Sequence, residues 1–259
     1  MMIEFDGVTR RYGRKVAVDG LSLRVAPGET FALLGPNGAG KTTTIKMLVG
    51  LLRPNAGTVR VCGHDVVRET RAATGQMGYV PDQAFLYDKL TGREFLEFLA
   101  DVRGMDREVW QSNLRRQARW FELDGFLDDL TETYSHGMRQ RLVFAAALLH
   151  DPKVLVVDEP MVGLDPRAGR IVKDLLRARA AEGTSVFMST HTLSVAEEIA
   201  DRIGIVDRGR LRFLGTVDKL RAELASPHSS LESLYLTLTD GHGDPVQDAT
   251  DAAGRRGRG

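Results

Sequence analysis

The chain has 259 residues, 42% of them hydrophobic and 27% charged, a balance that suits a globular fold with ample length for a core. Its 35 basic and 35 acidic side chains cancel, so no global basic field argues for nucleic acid, and no apolar run approaches the ~20 residues of a membrane span. The N-terminal Met-Met-Ile-Glu-Phe-Asp lacks the basic and apolar regions of a secretory leader, and a single cysteine, Cys62, excludes an internal disulfide and suits a reducing cytosol.

Residues 3–8, 21–25 and 58–62 are short, partly alternating and separated by turn residues, which predicts strands, with Cys62 as a small core residue of the last. Residues 30–34 are apolar throughout and follow Pro27-Gly28, so they read as a buried strand. The segment Gly35-Pro36-Asn37-Gly38-Ala39-Gly40-Lys41-Thr42 fits the phosphate-binding loop G-x-x-x-x-G-K-[ST]. Glycine admits φ > 0 and close ligand approach, so successive N–H groups line a concave anion site. A helix begun near Lys41, with Ile45, Leu48 and Val49 on its apolar face, adds the positive end of its dipole. Lys41 can reach the β- and γ-phosphates of a nucleoside triphosphate, and the Thr42 hydroxyl can hold Mg²⁺.

A further strand is expected at 77–80, ending at Pro81, and the middle of the chain reads as helical. Thr91-Gly92-Arg93-Glu94 is a capping box followed by Phe95, Leu99 and Val102 at helical spacing. Residues 106–121 are amphipathic, with Val109, Leu114 and Trp120 among the apolar positions, and 139–150 form another helix. Ser135 and Gly137, just before that helix, make a second anion site of the helix-start type.

From 154 onward strand and helix alternate: strands at 154–157, 185–189 and 203–206, a helix opened by Pro166 and running to Ala181, and another to about Asp201. Such alternation implies an α/β fold, a mostly parallel sheet covered on both faces. Asp158 and Glu159 end the first of these strands, where ligands bind in open α/β sheets. A carboxylate there can hold the Mg²⁺ that bridges phosphate oxygens, and the next can orient an attacking water. His191 ends the neighbouring strand within reach of a γ-phosphate.

Together these residues resemble the nucleotide-binding subunit of ATP-binding cassette (ABC) transporters, over about residues 3–240. The segment 35–43, including Thr43, is similar to the Walker A loop, 154–159 to Walker B, 134–138 with Arg139-Gln140-Arg141 to the signature, Gly163-Leu164-Asp165 to the D-loop, and His191 to the switch histidine. Tyr12 sits where the family places an adenine-stacking aromatic. The resemblance implies a P-loop NTPase (RecA-like) core with an N-terminal antiparallel β-subdomain and an inserted helical subdomain at about 84–150. It implies a cassette over 1–215 and an extension over 216–240, while the Gly-, Asp- and Arg-rich segment 241–259 has little to bury and reads as a disordered tail. It further implies ATP and Mg²⁺ as cofactors, with Lys41, Glu159 and His191 catalytic and Thr42 and Asp158 as metal ligands; Asp82 is a third candidate ligand, because hard cations prefer carboxylate oxygen. Two subunits, a homodimer, would close around two MgATP, Ser135, Gly137 and Asp165 completing the partner's site, and no nucleic acid would be bound. The permease would be a separate membrane polypeptide, with this chain peripheral on the cytoplasmic face.

The signature reads Tyr-Ser-His-Gly-Met, and "LESLYLTLT" at 231–239 resembles a C-terminal element of type-2 exporter ATPases, which points to export. Import, and a non-transport ABC ATPase, stand as alternatives. Two positions depart from the family pattern: Asp82 precedes Gln83 where glutamine is usual after Gly-Tyr-x-Pro, and His136 replaces the signature's first glycine.

Overall fold

The computed structural model describes residues 1–222 and Tyr235. The expected tail, and all of the segment 231–239 except Tyr235, lie outside the described residues. In chain order the elements are β1 (Ile3–Tyr12), β2 (Lys15–Val25), β3 (Thr30–Leu34), α1 (Lys41–Leu48), β4 (Ala56–Val61), β5 (His64–Asp65), α2 (Thr70–Gly75), β6 (Met77–Val80), α3 (Gly92–Val102), α4 (Arg107–Trp120), α5 (His136–Leu148), β7 (Val154–Asp158), α6 (Pro166–Ala181), β8 (Ser185–Thr190), α7 (Leu193–Ile199), β9 (Arg202–Asp207), β10 (Arg210–Gly215) and α8 (Val217–Ala222).

Two sheets organise the chain. One is antiparallel, in the order β2-β1-β4-β5, and the other has six strands in the order β10-β9-β3-β8-β7-β6. Within the second, β9-β3-β8-β7-β6 is parallel and β10 pairs antiparallel with β9. The strands of the parallel part are apolar on both faces because both faces are covered. Phe31, Leu33, Phe187, Val154 and Val156 join a core with α1 and the antiparallel sheet, while Ala32, Leu34, Leu155, Val157 and Met188 face α5, α6 and α7 in a second core.

Residues 30–34, 77–80 and 166–181 hold the elements the sequence predicts, with the same bounds. Other expectations need correction. β1 and β2 are 10 and 11 residues long, because their mutual pairing continues past the apolar segments through irregular register. Cys62 follows β4 in a left-handed turn (φ +51°) and is half-buried. The strand at 203–206 is followed by another, β10, whose partly polar pattern hid it. The apolar stripe of α4 is Trp110, Leu114 and Ala118, with Val109 and Trp120 exposed, and Val102 is likewise exposed at the end of α3.

The capping box of α3 is present in full: Glu94 N–H donates to Thr91 Oγ1 (3.2 Å) and Thr91 N–H to Glu94 Oε2 (2.8 Å). Tyr134 fixes the start of α5 from below. Its hydroxyl donates to Phe126 O (2.6 Å) and packs over Gly92, where a Cβ would lie 2.3 Å from it.

His150 follows α5 and is mostly buried. Its Nε2 lies 3.0 Å from Met77 O, and its Nδ1 is buried without a partner among the described residues. Burial, aided by Arg103, pushes its pKa down to about 4. A depressed histidine binds its proton more readily in the unfolded chain, so its contribution is present above pH ~6.5 and fades as pH falls towards 4. The expected loss is about 2 kcal/mol by pH 5, read from urea unfolding midpoints, and His150→Gln should flatten that slope.

Candidate functional site

β3 delivers the chain to the loop 35–40 at the C-terminal rim of the parallel sheet, and β7 and β8 end beside it. The loop's glycines do different work. Gly40 stands at φ +112°, and a Cβ there would also lie 2.5 Å from Ala17 O. Gly35, in contrast, has ordinary φ. It is glycine because a Cβ would lie 2.4 Å from Val206 O, so β9 presses directly on the start of the loop. The turn between β9 and β10 braces it further, with Gly209 N–H donating to Ala39 O (2.9 Å).

Inside the loop the buried Lys41 donates from Nζ to Gly35 O (2.7 Å) and Pro36 O (3.3 Å). The same Nζ lies 3.3 Å from Glu159 Oε1. The other oxygen of Glu159, Oε2, is 2.9 Å from His191 Nδ1 and 3.4 Å from His191 N. One carboxylate thus links the ends of three segments, the loop, β7 and β8. Glu159 itself adopts φ +50°, an unusual region for a residue with a side chain, worth about 1–2 kcal/mol of strain. That turn is held by a hydrogen bond from Glu159 N–H to Ser189 Oγ (3.1 Å), whose hydroxyl also donates to Asp158 Oδ1.

Asp158 is buried at the same rim. Burial pushes its carboxyl pKa up, hydrogen bonds from the Ser189 and Thr42 hydroxyls pull it down, and Asp82 and Glu159 push it up again. Tyr79, on the neighbouring strand, is pushed up to about 12 by burial and by Asp158 and Asp82.

A groove of about 400 Å³ opens over this array, lined by Tyr12, Lys15, Ala17, Asn37, Gly38, Gly40, Lys41, Thr42, Thr43, Asp82 and Glu159. Of the sequence-derived residues, Gly35 and Ala39 lie buried beneath the groove and Pro36 presents only its carbonyl to Lys41. Tyr12 is half exposed at the mouth with the Arg10 guanidinium 4.9 Å from its ring centroid. Sequence reasoning missed Lys15 and Ala17 on the far wall and the coupling hydroxyl of Ser189. The serine stood in view beside His191, but nothing in a strand sequence says that its hydroxyl turns toward the neighbouring strand.

Ser135, Gly137 and Asp165 are elsewhere. They line a second cavity of about 440 Å³ with Glu122, His136, Arg141, Gly163 and Arg167. Its lining shares no residue with the first groove. Ser135 caps α5, its Oγ accepting from Met138 N–H (3.3 Å), and Asp165 caps α6, accepting from Arg167 and Ala168 N–H (2.9 Å each). Those caps hold Asp165's carboxyl pKa below the usual range, first through Ala168 N–H. Arg167 Nη2 donates to both carboxylate oxygens of Glu122 (2.8 and 2.9 Å), so the wall of this cavity carries paired charges of both signs.

The family model described as ABC transporter matches residues 18–162. The chain is 43% identical over 221 residues to the daunorubicin resistance ATP-binding protein DrrA3 of Streptomyces coeruleorubidus, covering 85% of this chain and 70% of that protein. It is 42% identical over 208 residues to the Nod factor export ATP-binding protein I of Paraburkholderia xenovorans, covering 80% and 68%. Among solved structures, one described as the ATP binding subunit of an ABC transporter superposes with a TM-score of 0.86 at 31% identity, over 92% of this chain and 99% of that one. The chain belongs to the ABC transporter family, as one of its ATP-binding, ATP-hydrolysing subunits.

Proposed function

We propose that two copies of this chain close around two MgATP and use their hydrolysis to drive export through a separate membrane permease, with the chain peripheral on the cytoplasmic face. The observation that carries the proposal is the split of anion-binding elements between two cavities of one chain. The first groove has the amide-lined cradle, lysine and glutamate; the second has a helix start with a serine and glycine and no counterpart cradle. A copy related by two-fold symmetry sets the second cavity of each subunit over the first groove of the other, as isologous contacts do.

In the closed pair the amides of 37–42 and Lys41 bind the phosphates, and Tyr12 stacks on the base. Thr42, Asp158 and Asp82 would hold Mg²⁺. Their hydroxyl and carboxylate oxygens suit a hard cation, and positive charge there would offset the burial that raises Asp158's pKa. Among the described residues no cluster of three or more His, Cys, Asp or Glu side chains forms a cage, which fits an ion held jointly with phosphate oxygens. Bound there, the ion would supply positive charge to offset that of the phosphates. Glu159 orients and deprotonates the attacking water, and His191 steadies the γ-phosphate.

No described helix is long and apolar enough to cross a membrane. An apolar groove of about 320 Å³ beside Asp82, lined by Leu51, Tyr79, Pro81, Phe85, Phe95 and Leu99 among others, is where the permease docks. Phe85 and Leu51 stand 87% and 67% exposed there, as side chains awaiting a partner do. Export, rather than import, follows the relatives named for drug resistance and Nod factor export.

The test is assembly. With MgATP the Glu159→Gln chain should double its mass by light scattering, and adding Ser135→Arg should leave it monomeric while ATP still binds. A dimer indifferent to Ser135→Arg counts against the shared site.

A further inference from the structure

The histidine at the signature's first glycine position is solvent-exposed, yet one edge of its ring meets protein. The His136 ring lies against the loop 159–165 of its own chain. Its Nε2 is 3.4 Å from Val162 O, and a Cβ on Gly163 would come within 2.8 Å of Nε2 and 3.1 Å of Cδ2. Gly163 also stands at φ +72°, so the backbone conformation disfavours a side chain there, and one would have to displace the His136 ring.

That loop has Glu159 at one end and Asp165 at the other. Val162 N–H donates back to Glu159 O (3.2 Å) and Leu164 N–H to Met161 O (3.4 Å). The ends are pinned, by Ser189 at Glu159 N and by the α6 cap at Asp165. The middle is exposed, Val162 by 50%. His136 therefore meets the loop where its own anchoring is weakest. Val162 bonds in both directions: its carbonyl faces His136, and its N–H holds the carbonyl of Glu159.

We propose that His136 is a positioning residue that ties the Ser135 turn to the loop carrying Glu159. It thereby connects the half-site that a chain offers to its partner with the carboxylate that serves the chain's own nucleotide. This consequence for turnover rests on the shared-site reading above, whereas the tie itself does not. A neutral ring with its proton on Nε2 suffices to donate to Val162 O, so the role needs an N–H at that reach and no charge. Glycine at 136 would leave both Val162 O and Gly163 to water.

The experiment is hydrogen exchange on the nucleotide-free full chain, followed by steady-state hydrolysis. His136→Gly should speed exchange of the Val162 and Leu164 amides about 2- to 10-fold, the loss expected from one hydrogen bond. His136→Gln, which restores a donor without a charge, should return them to within about twofold of the parent. Turnover should follow the same order, with the KM for ATP unchanged. Unaltered exchange in His136→Gly overturns the proposal, as does rescue of turnover by His136→Lys but not His136→Gln, which would make the ring a phosphate contact. A dimer indifferent to Ser135→Arg would sink the shared site and leave the exchange result standing, so the two failures are distinguishable.

Discussion

Glu159→Gln should bind MgATP with nearly parental affinity and release phosphate about 10²–10⁴-fold more slowly, the share expected of a general base. The substitution keeps the shape of the side chain and a hydrogen-bonding oxygen. It removes the negative charge that Lys41 Nζ meets at 3.3 Å and that His191 Nδ1 meets at 2.9 Å. The amide can still accept from one of these neighbours, so the turn at φ +50° and its bond to Ser189 should persist. What is lost is a group able to take a proton from water. Phosphate-release kinetics alongside nucleotide binding separate the two effects, and parental turnover would remove Glu159 from the chemistry.

Lys41→Ala should weaken ATP binding about 10- to 100-fold, in line with ~1.5–3 kcal/mol for hydrogen bonds to a charged group. Without nucleotide Nζ bonds to Gly35 O and Pro36 O and pairs with Glu159, so the cation is stored inside the loop at close to full burial. On the proposed reading a bound triphosphate would draw it away from Glu159 and free that carboxylate to meet water. The variant leaves Glu159 with His191 alone. Titration with a fluorescent ATP analogue reads the loss. Unchanged affinity would contradict a phosphate-gripping role, and an equal loss in stability would be visible as a shifted unfolding midpoint.

The parts of this protein legible in the sequence were those written in local spacing. The glycine-lysine loop, the Asp158-Glu159 pair after an apolar strand, the Thr91 capping box and the Pro166 helix each carry their physics within a few residues, and each stands where its spacing put it. What spacing could not carry was contact between distant segments. Gly35 looks like a loop glycine chosen for freedom, yet its need comes from Val206 on β9, more than 150 residues away along the chain. Ser189 reads as a small strand residue until β8 is laid beside β7. The exposed Val109 and Trp120 of α4 show the same limit, because the apolar stripe is decided by what α5 and the rest of the core offer, and 3.6-residue spacing admits several stripes. For Asp82 the sequence marked a departure; the structure puts it on the wall of the groove over Lys41 and Glu159, where it adds to the burial that raises the pKa of Asp158.

The central claim is that a nucleotide held by one subunit's loop is capped by the serine turn of the other. The structure of Glu159→Gln with MgATP tests it most directly. The expected result is the hydroxyl of the partner subunit's Ser135 within about 3 Å of the γ-phosphate gripped by Lys41, in both sites of a two-fold dimer. A Ser135 turn facing solvent in every assembly, with the same chain monomeric in solution, would contradict it.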